Sequence, residues 1–247
     1  MRWAFASVAS CNGSETGMPP GSVVRWMIVQ SAIGLAVIAL LLFLPAGTLA
    51  WPQGWVFLLV YSGCGLVTDV WLLRKDPALL VARTRSPLAT GQTPRDRAVM
   101  TVILASFVGW FVFMALDARR FGWSHTPLWA QFLGAGLIIA TFLGWFGVLR
   151  ANSFAATTIQ LQPDRGQTVI DTGPYAVVRH PMYAFDILLM LGAPLLLGSL
   201  WGLAALVVFI PLLVARALSE EAMLLAGLPG YADYARKVRF RFAPWIW

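Results

Sequence analysis

Long apolar runs separated by short polar breaks dominate this chain. Met27–Leu49, Gly54–Leu73, Val99–Leu116 and Trp129–Leu149 are each close to unbroken. About 20 apolar residues are what a helix needs to cross a hydrocarbon layer of ~30 Å. Two shorter runs, Tyr183–Leu197 and Leu200–Ala217, are parted only by Gly198-Ser199, which predicts a tight helical hairpin. Trp51, Trp55, Trp123, Trp129 and Trp201 fall near the run ends, as aromatic residues do at a membrane–water boundary. From Gly230 the pattern Tyr, Ala, Asp, Tyr, Ala, Arg, Lys suits a short amphipathic helix on the membrane surface. The expectation is an all-α polytopic membrane bundle of about six spans, with a C-terminal helical hairpin and a short amphipathic C-terminal helix.

Composition strengthens this picture. Charged residues make up 12% of the chain and mean hydropathy is +0.73, against about 25% charged in soluble domains. Residues 23–247 read as one membrane domain, with the polar part 151–247 carrying the chemistry. Residues 1–22 read as a disordered tail rich in Ser, Gly and Pro. Val8-Ala9-Ser10-Cys11 looks like a lipoprotein cleavage site, but the apolar stretch before it is too short for a signal peptide.

Charge sets orientation. With six spans, sixteen of the 18 Lys and Arg residues fall on one side and two on the other. The positive-inside rule then places both termini in the cytoplasm. The net charge of +7 sits in span-flanking loops, where anionic lipid explains it, so nucleic acid is not expected as a partner. Cys11 and Cys64 make no disulfide framework, and His125 and His180 are too few and too far apart for a zinc site, so no metal is expected. No internal repeat is visible, which removes the inverted-repeat signature of a transporter. Nothing in the sequence speaks to oligomeric state.

Polar residues concentrate at one end of the closing hairpin. Gly173-Pro174-Tyr175 leads into Arg179-His180-Pro181-Met182-Tyr183, and the second arm ends at Arg216 and Glu220-Glu221. Leu228-Pro229-Gly230-Tyr231, Tyr234 and Val238-Arg239-Phe240-Arg241 follow. Such a cluster at membrane depth is costly unless something polar binds there. Pro181 at a first helical position favours helix entry, and the free N–H groups of that helix start form an anion site. His180 and Tyr183 share a helix face, with Asp186 one turn further along it. Asp186 lies inside an apolar run, as does Asp69, and an intramembrane carboxylate is a functional candidate by default. Glu220 is four residues after Arg216 and suited to pair with it, which leaves Glu221 to face a pocket. Arg239 and Arg241 are suited to hold a lipid phosphate or a substrate carboxylate, or to anchor the tail at the interface.

These motifs resemble the isoprenylcysteine carboxyl methyltransferase family of integral membrane enzymes. The Arg-His-Pro-x-Tyr element at 179–183 and the acidic pair Glu220-Glu221 carry the likeness. The resemblance implies S-adenosyl-L-methionine as cofactor, in a cytoplasm-facing pocket that would include Tyr175, Arg179, His180, Pro181, Tyr183, Glu220 and Glu221. It implies methyl transfer to a lipidic or prenylated acceptor, expected to be a carboxylate, met by Arg239 and Arg241. An amine or hydroxyl acceptor needs a base, for which Asp186 and Glu221 are the candidates. One departure is Phe185, where many members have Gly; it is expected to narrow the pocket or face lipid. Gly134-Ala135-Gly136 is similar to a glycine motif of phospholipid N-methyltransferases, yet in an apolar span small residues mark close helix packing. Membrane sterol reductases that use NADPH share a similar Arg-His-Pro-x-Tyr element and an Asp like Asp186, so a reductase is the alternative, alongside a non-enzymatic membrane protein.

Overall fold

A computed structural model describes residues 20–84, 94–157 and 159–247. Most of the 1–22 tail, Cys11 included, lies outside the described residues. Among these residues eight α-helices follow in order: α1 (Pro20–Ala46), α2 (Pro52–Lys75), α3 (Pro77–Thr84), α4 (Pro94–Ala115), α5 (Leu128–Ala151), α6 (Pro181–Leu197), α7 (Leu206–Gly227) and α8 (Tyr231–Lys237). Among the described residues no β-strand occurs. The all-helical membrane bundle expected from hydropathy is therefore what the chain forms.

Among the described residues, five segments are long and apolar enough to cross a membrane: Gly21–Ala46, Pro52–Lys75, Asp96–Phe121, Leu128–Ala151 and Trp201–Gly227. The sixth apolar helix, α6, has 17 residues, or about 25 Å of rise. It therefore leaves its N-terminal end, with His180, inside the depth of one leaflet if its other end reaches the far boundary.

Proline and glycine set the element ends. Pro52, Pro77 and Pro181 each start a helix, where the missing N–H is no loss. Asp76 caps α3, its Oδ1 accepting from the Leu79 N–H at 2.9 Å, as an N-cap carboxylate does. Gly198 ends α6 at φ 94° and Gly230 precedes α8 at φ 83°, a left-handed backbone that glycine adopts freely.

The hairpin turn after α6 is held by a residue that the hydropathy pattern hides. Asp117 is fully buried in a π-helical turn, Leu116–Phe121, that continues α4. Its Oδ2 accepts from Ser124 Oγ and from Ser199 Oγ, both at 2.6 Å. Ser199 Oγ in turn accepts from the Gly202 N–H at 3.0 Å, and Ser124 Oγ from the Leu200 N–H at 2.8 Å. One carboxylate thus ties the end of α4 to the turn between α6 and α7.

The tight turn joins α6 to α7 as expected, but α6 packs most extensively on α5 rather than on α7. Glycine is the reason. A Cβ added at Gly134 would lie 2.5 Å from Leu196 N and 2.6 Å from Gly192 O, and one at Gly192 would lie 2.8 Å from Gly134 O. The two backbones can approach this closely only because both positions lack a side chain. Gly136 faces open space. Phe185 does not line the cavity, contrary to the narrowing expectation; its half-buried ring fills the space beside Gly144 of α5. Trp55, Trp123, Trp129 and Trp201 are exposed, whereas Trp51 is buried against Phe43 and Gly54 and so belongs to the core, not to an interfacial belt.

Overpacking typically costs about 1–3 kcal/mol, and each kcal/mol moves the midpoint of a chain this size by about 2–4 °C. Gly134→Leu is therefore expected to lower the thermal midpoint of detergent-purified protein by several degrees. Gly136→Leu is expected to leave it unchanged. Equal effects in a melting assay would contradict the close crossing.

Candidate functional site

Three stretches distant in sequence meet at one end of the bundle. The segment before α6 brings Arg179 and His180, the end of α7 brings Glu220 and Glu221, and the tail after α8 brings Arg241. Backbone pairing sets the register of the first and third: the Arg179 N–H donates to Phe240 O and the His180 N–H to Arg241 O, both at 2.9 Å.

Glu221 is the hub. Its side chain is 7% exposed. Its carboxylate takes Arg241 through Nε and Nη2 at 3.0–3.1 Å and His180 Nε2 at 3.1 Å. Arg179 Nε stands 3.0 Å from Oε1, but its N–H is not aligned for a hydrogen bond, so that contact is Coulombic. The Arg241 guanidinium also lies over the Trp247 ring, 4.6 Å from its centroid. A carboxylate buried this deeply is tolerable only with such partners.

Glu220 points elsewhere. It accepts a hydrogen bond from Tyr183 Oη at 2.9 Å, and His180 Nδ1 stands 3.7 Å away. The Tyr183 hydroxyl itself accepts from Arg216 Nε at 3.1 Å, while Arg216 Nη2 donates to Thr157 O at 2.6 Å. The sequence expectation is thus reversed. Arg216 reaches Glu220 only through the Tyr183 hydroxyl; Glu220 lines the cavity and Glu221 does not. Successive helical positions diverge by about 100°, and the cations fall on the Glu221 side.

The cavity holds about 900 Å³ of space, its open mouth included. Arg83, Tyr175, His180, Tyr183, Glu220 and Tyr231 are among the residues of its wall, together with Pro181 and Met182 at the start of α6. His180 and Tyr183 stack with ring centroids 5.5 Å apart, as their spacing implies. The loop between α5 and α6 folds over the cavity instead of trailing away. Asn152 Nδ2 donates to Tyr175 Oη at 2.8 Å, Gln162 Nε2 donates to Phe154 O at 2.9 Å, and the Arg165 guanidinium lies over the Phe154 ring. Burial, with Glu220 nearby, pushes the Tyr175 phenol up to about 12, so it is a neutral hydrogen-bonding group at physiological pH.

Helix α8 is amphipathic, but its apolar face meets protein and not lipid. Tyr231 and Tyr234 are buried with Val169, Tyr175, Leu224 and Leu228, and Tyr234 Oη donates to Tyr175 O at 2.8 Å. Burial raises both phenols above their ordinary range. Asp233 and Arg236 pair on the exposed face.

Asp186 stands behind the cavity, not in its wall. Arg179 and His180 are held by Glu221. The charged neighbours of Asp186 are Arg83 and Arg216. The Trp145 indole faces it, but the buried Nε1–H finds no acceptor at hydrogen-bond geometry. Asp69 does have a partner, Ser31 of α1, whose Oγ donates at 3.2 Å. The two tail arginines part company: Arg241 is held by Glu221, whereas Arg239 is exposed. Sequence reasoning does not find Arg83 or Asn152: Arg83 reads as one more span-flanking positive charge, and no motif marks Asn152. Tyr231 belongs to the Leu228-Pro229-Gly230-Tyr231 motif of the polar cluster, which assigns it no role.

Residues 129–227 match the phospholipid methyltransferase family. A stretch of 74 residues is 31% identical to a cobalt-zinc-cadmium resistance protein of Cupriavidus metallidurans, covering 30% of this chain and 34% of that protein. The match therefore spans about a third of that relative's length. The family match bears out, for this segment, the membrane-methyltransferase likeness read from the Arg-His-Pro-x-Tyr element and the acidic pair. Arg83, Tyr231, Arg239 and Arg241 lie outside the matched residues.

Removing one member of a buried ion cluster costs about 3–5 kcal/mol. Glu221→Ala, which strands Arg179 and Arg241, is expected to lose stability on that scale. Glu220→Ala removes one part-exposed hydrogen bond and is expected to lose about 1 kcal/mol. Denaturant titration of both variants in micelles checks the order, and the reverse order contradicts the hub.

Proposed function

We propose that this chain, which carries the phospholipid methyltransferase segment at 129–227, is an integral membrane methyltransferase that uses S-adenosyl-L-methionine. It acts on a lipidic or prenylated acceptor, a carboxylate in the isoprenylcysteine carboxyl methyltransferase manner, at the cytoplasmic face. Both termini lie in the cytoplasm, supported by the segregation of Lys and Arg. The observation that carries the reading is a cavity at the polar end of the bundle whose wall holds both Glu220 and a helix start, Pro181-Met182-Tyr183.

The cavity suits this cofactor. Its wall offers both signs of charge, Glu220 on one part and Arg83 and Arg179 on others. When bound, the cofactor supplies a methyl group on a positively charged sulfur. Glu220 faces the cavity as a carboxylate and favours a cation there. The first N–H groups of α6 lack helical partners and favour an anion, such as an amino-acid carboxylate. Tyr175, His180, Tyr183, Tyr231 and Tyr234 supply flat, largely apolar walls with polar tips, which exclude water and take a purine. Arg179 lines the cavity while standing on Glu221, and Glu221 acts at one remove. Glu221 fixes His180 and the tail and thereby holds the start of α6 in position.

A carboxylate acceptor needs alignment and desolvation but no base; correct placement alone contributes about 7–11 kcal/mol to such reactions. Arg239 is the exposed tail cation suited to meet an acidic acceptor, and Arg241 reaches it only if it leaves Glu221. For an amine or hydroxyl the candidate bases are Asp186 and Glu221, and neither lines the cavity: Asp186 stands behind its wall and Glu221 is held by three partners. No nucleic acid takes part in this reading.

Calorimetric titration of the purified protein is expected to give saturable binding of S-adenosylhomocysteine and none of NADPH. Glu220→Gln, which keeps the hydrogen-bonding shape and removes the charge, is expected to weaken S-adenosyl-L-methionine by about tenfold, ~1.4 kcal/mol. Binding of NADPH alone would replace this reading with a reductase; binding of neither would leave a non-enzymatic membrane protein. Methyl-labelled cofactor incubated with lipid extracts then identifies the acceptor.

A further inference from the structure

Arg83 is a cavity cation that neither the sequence motifs nor the family segment account for. It sits near the end of α3, tens of residues before the matched stretch begins. Its Nη1 donates to Ala155 O at 2.9 Å and touches Met182 Sδ at 4.0 Å. Among the described residues no carboxylate lies within ion-pair distance, 4.0 Å, and Nε and Nη2 have no hydrogen-bond partner. Neither atom is sealed inside the protein, since neither is among the buried unpartnered side-chain atoms. The side chain forms part of the cavity wall, near Asn152, Tyr175 and Met182.

The other arginines of the site are engaged differently. Arg179 and Arg241 stand on Glu221. Arg216 uses Nε on Tyr183, Nη2 on Thr157 and Nη1 beside Met100 Sδ. Arg83 alone of these four offers the Nε–Nη2 edge, the pair of parallel donors that matches a carboxylate or phosphate. Desolvation works against its charge, while Asp186 and Asp69 support it from longer range. Those carboxylates support the charge without occupying the guanidinium donors.

We propose that Arg83 is an oxyanion receptor in the cavity wall, binding a carboxylate-sized group of one of the two reactants through its free Nε and Nη2. The oxyanion has two possible sources, the amino-acid carboxylate of the methyl donor and the acidic head of the lipid acceptor. The first source rests on the methyl-donor reading above; the second does not.

The test is phenylglyoxal labelling of the detergent-purified full chain, read arginine by arginine by peptide mass spectrometry. Arg83 is expected to label and Arg179, held against Glu221, to resist. Protection of Arg83 by S-adenosylhomocysteine but not by 5′-methylthioadenosine, which lacks the amino-acid carboxylate, assigns the methyl donor as the source. Protection by palmitate assigns an acidic lipid head. Protection by neither overturns the proposal. Arg83→Gln is expected to weaken the protecting ligand by about tenfold or more, and Arg83→Lys to restore only part of the loss, because a point charge lacks the paired donors. Unchanged affinity in a folded Arg83→Gln protein also overturns it, and if that variant does not fold, the labelling of the unaltered chain decides. Wild-type protein that gives no heat with S-adenosylhomocysteine sinks the methyl-donor reading alone, since the palmitate arm still tests Arg83.

Discussion

The site depends on one buried carboxylate. Glu221 meets His180, Arg179 and Arg241 within 3.0–3.1 Å. Glu221 stands on α7 and its partners on the segment before α6 and the C-terminal tail, three regions that apolar packing alone would leave loosely related. A charge taken out of water must find compensating charges or the fold pays several kcal/mol. The need to neutralise Glu221 therefore brings the three regions together and orients His180. The stacked His180–Tyr183 pair and the Glu220–Tyr183 hydrogen bond are built on that arrangement.

A second constraint acts from within the bundle. Gly134 and Gly192 let α5 and α6 meet backbone to backbone, and Thr141 Oγ1 reaches toward Phe185 O across the same crossing at 3.3 Å. Where α6 sits against α5 fixes where its N-terminal end emerges, and so where the helix start stands relative to the α5–α6 loop. At the far end, Asp117 fixes the turn into α7. The short helix is thus held at both ends by carboxylates and along its length by glycine, and its polar start is aimed by packing that never touches the cavity.

Much of this was legible in sequence. Unbroken apolar runs gave the spans because backbone groups in hydrocarbon must be satisfied internally, and a helix does this within a single segment. Pro181 marked a helix start, the His180–Tyr183 spacing gave their shared face, and the clustering of charges marked the functional end. The small residues of Gly134-Ala135-Gly136 signalled a close crossing, which occurs at Gly134. Which glutamate faces the cavity was not legible. Adjacent helical positions differ by a rotation whose outcome depends on partners 20 and more residues away. Nor was Arg83, whose role depends on a short helix folding back beneath the α5–α6 loop.

Local chemistry therefore settled what the chain is made of: apolar helices long enough to cross a bilayer, punctuated by proline and glycine, with one end rich in charge. These properties follow from hydrogen-bond satisfaction and from backbone freedom, which act within a few residues. Tertiary structure alone settled which charges neutralise each other and which stay open to the cavity. Ion pairing at low dielectric depends on distance in space, and Arg179, Glu221 and Arg241 become neighbours only after the helices have packed.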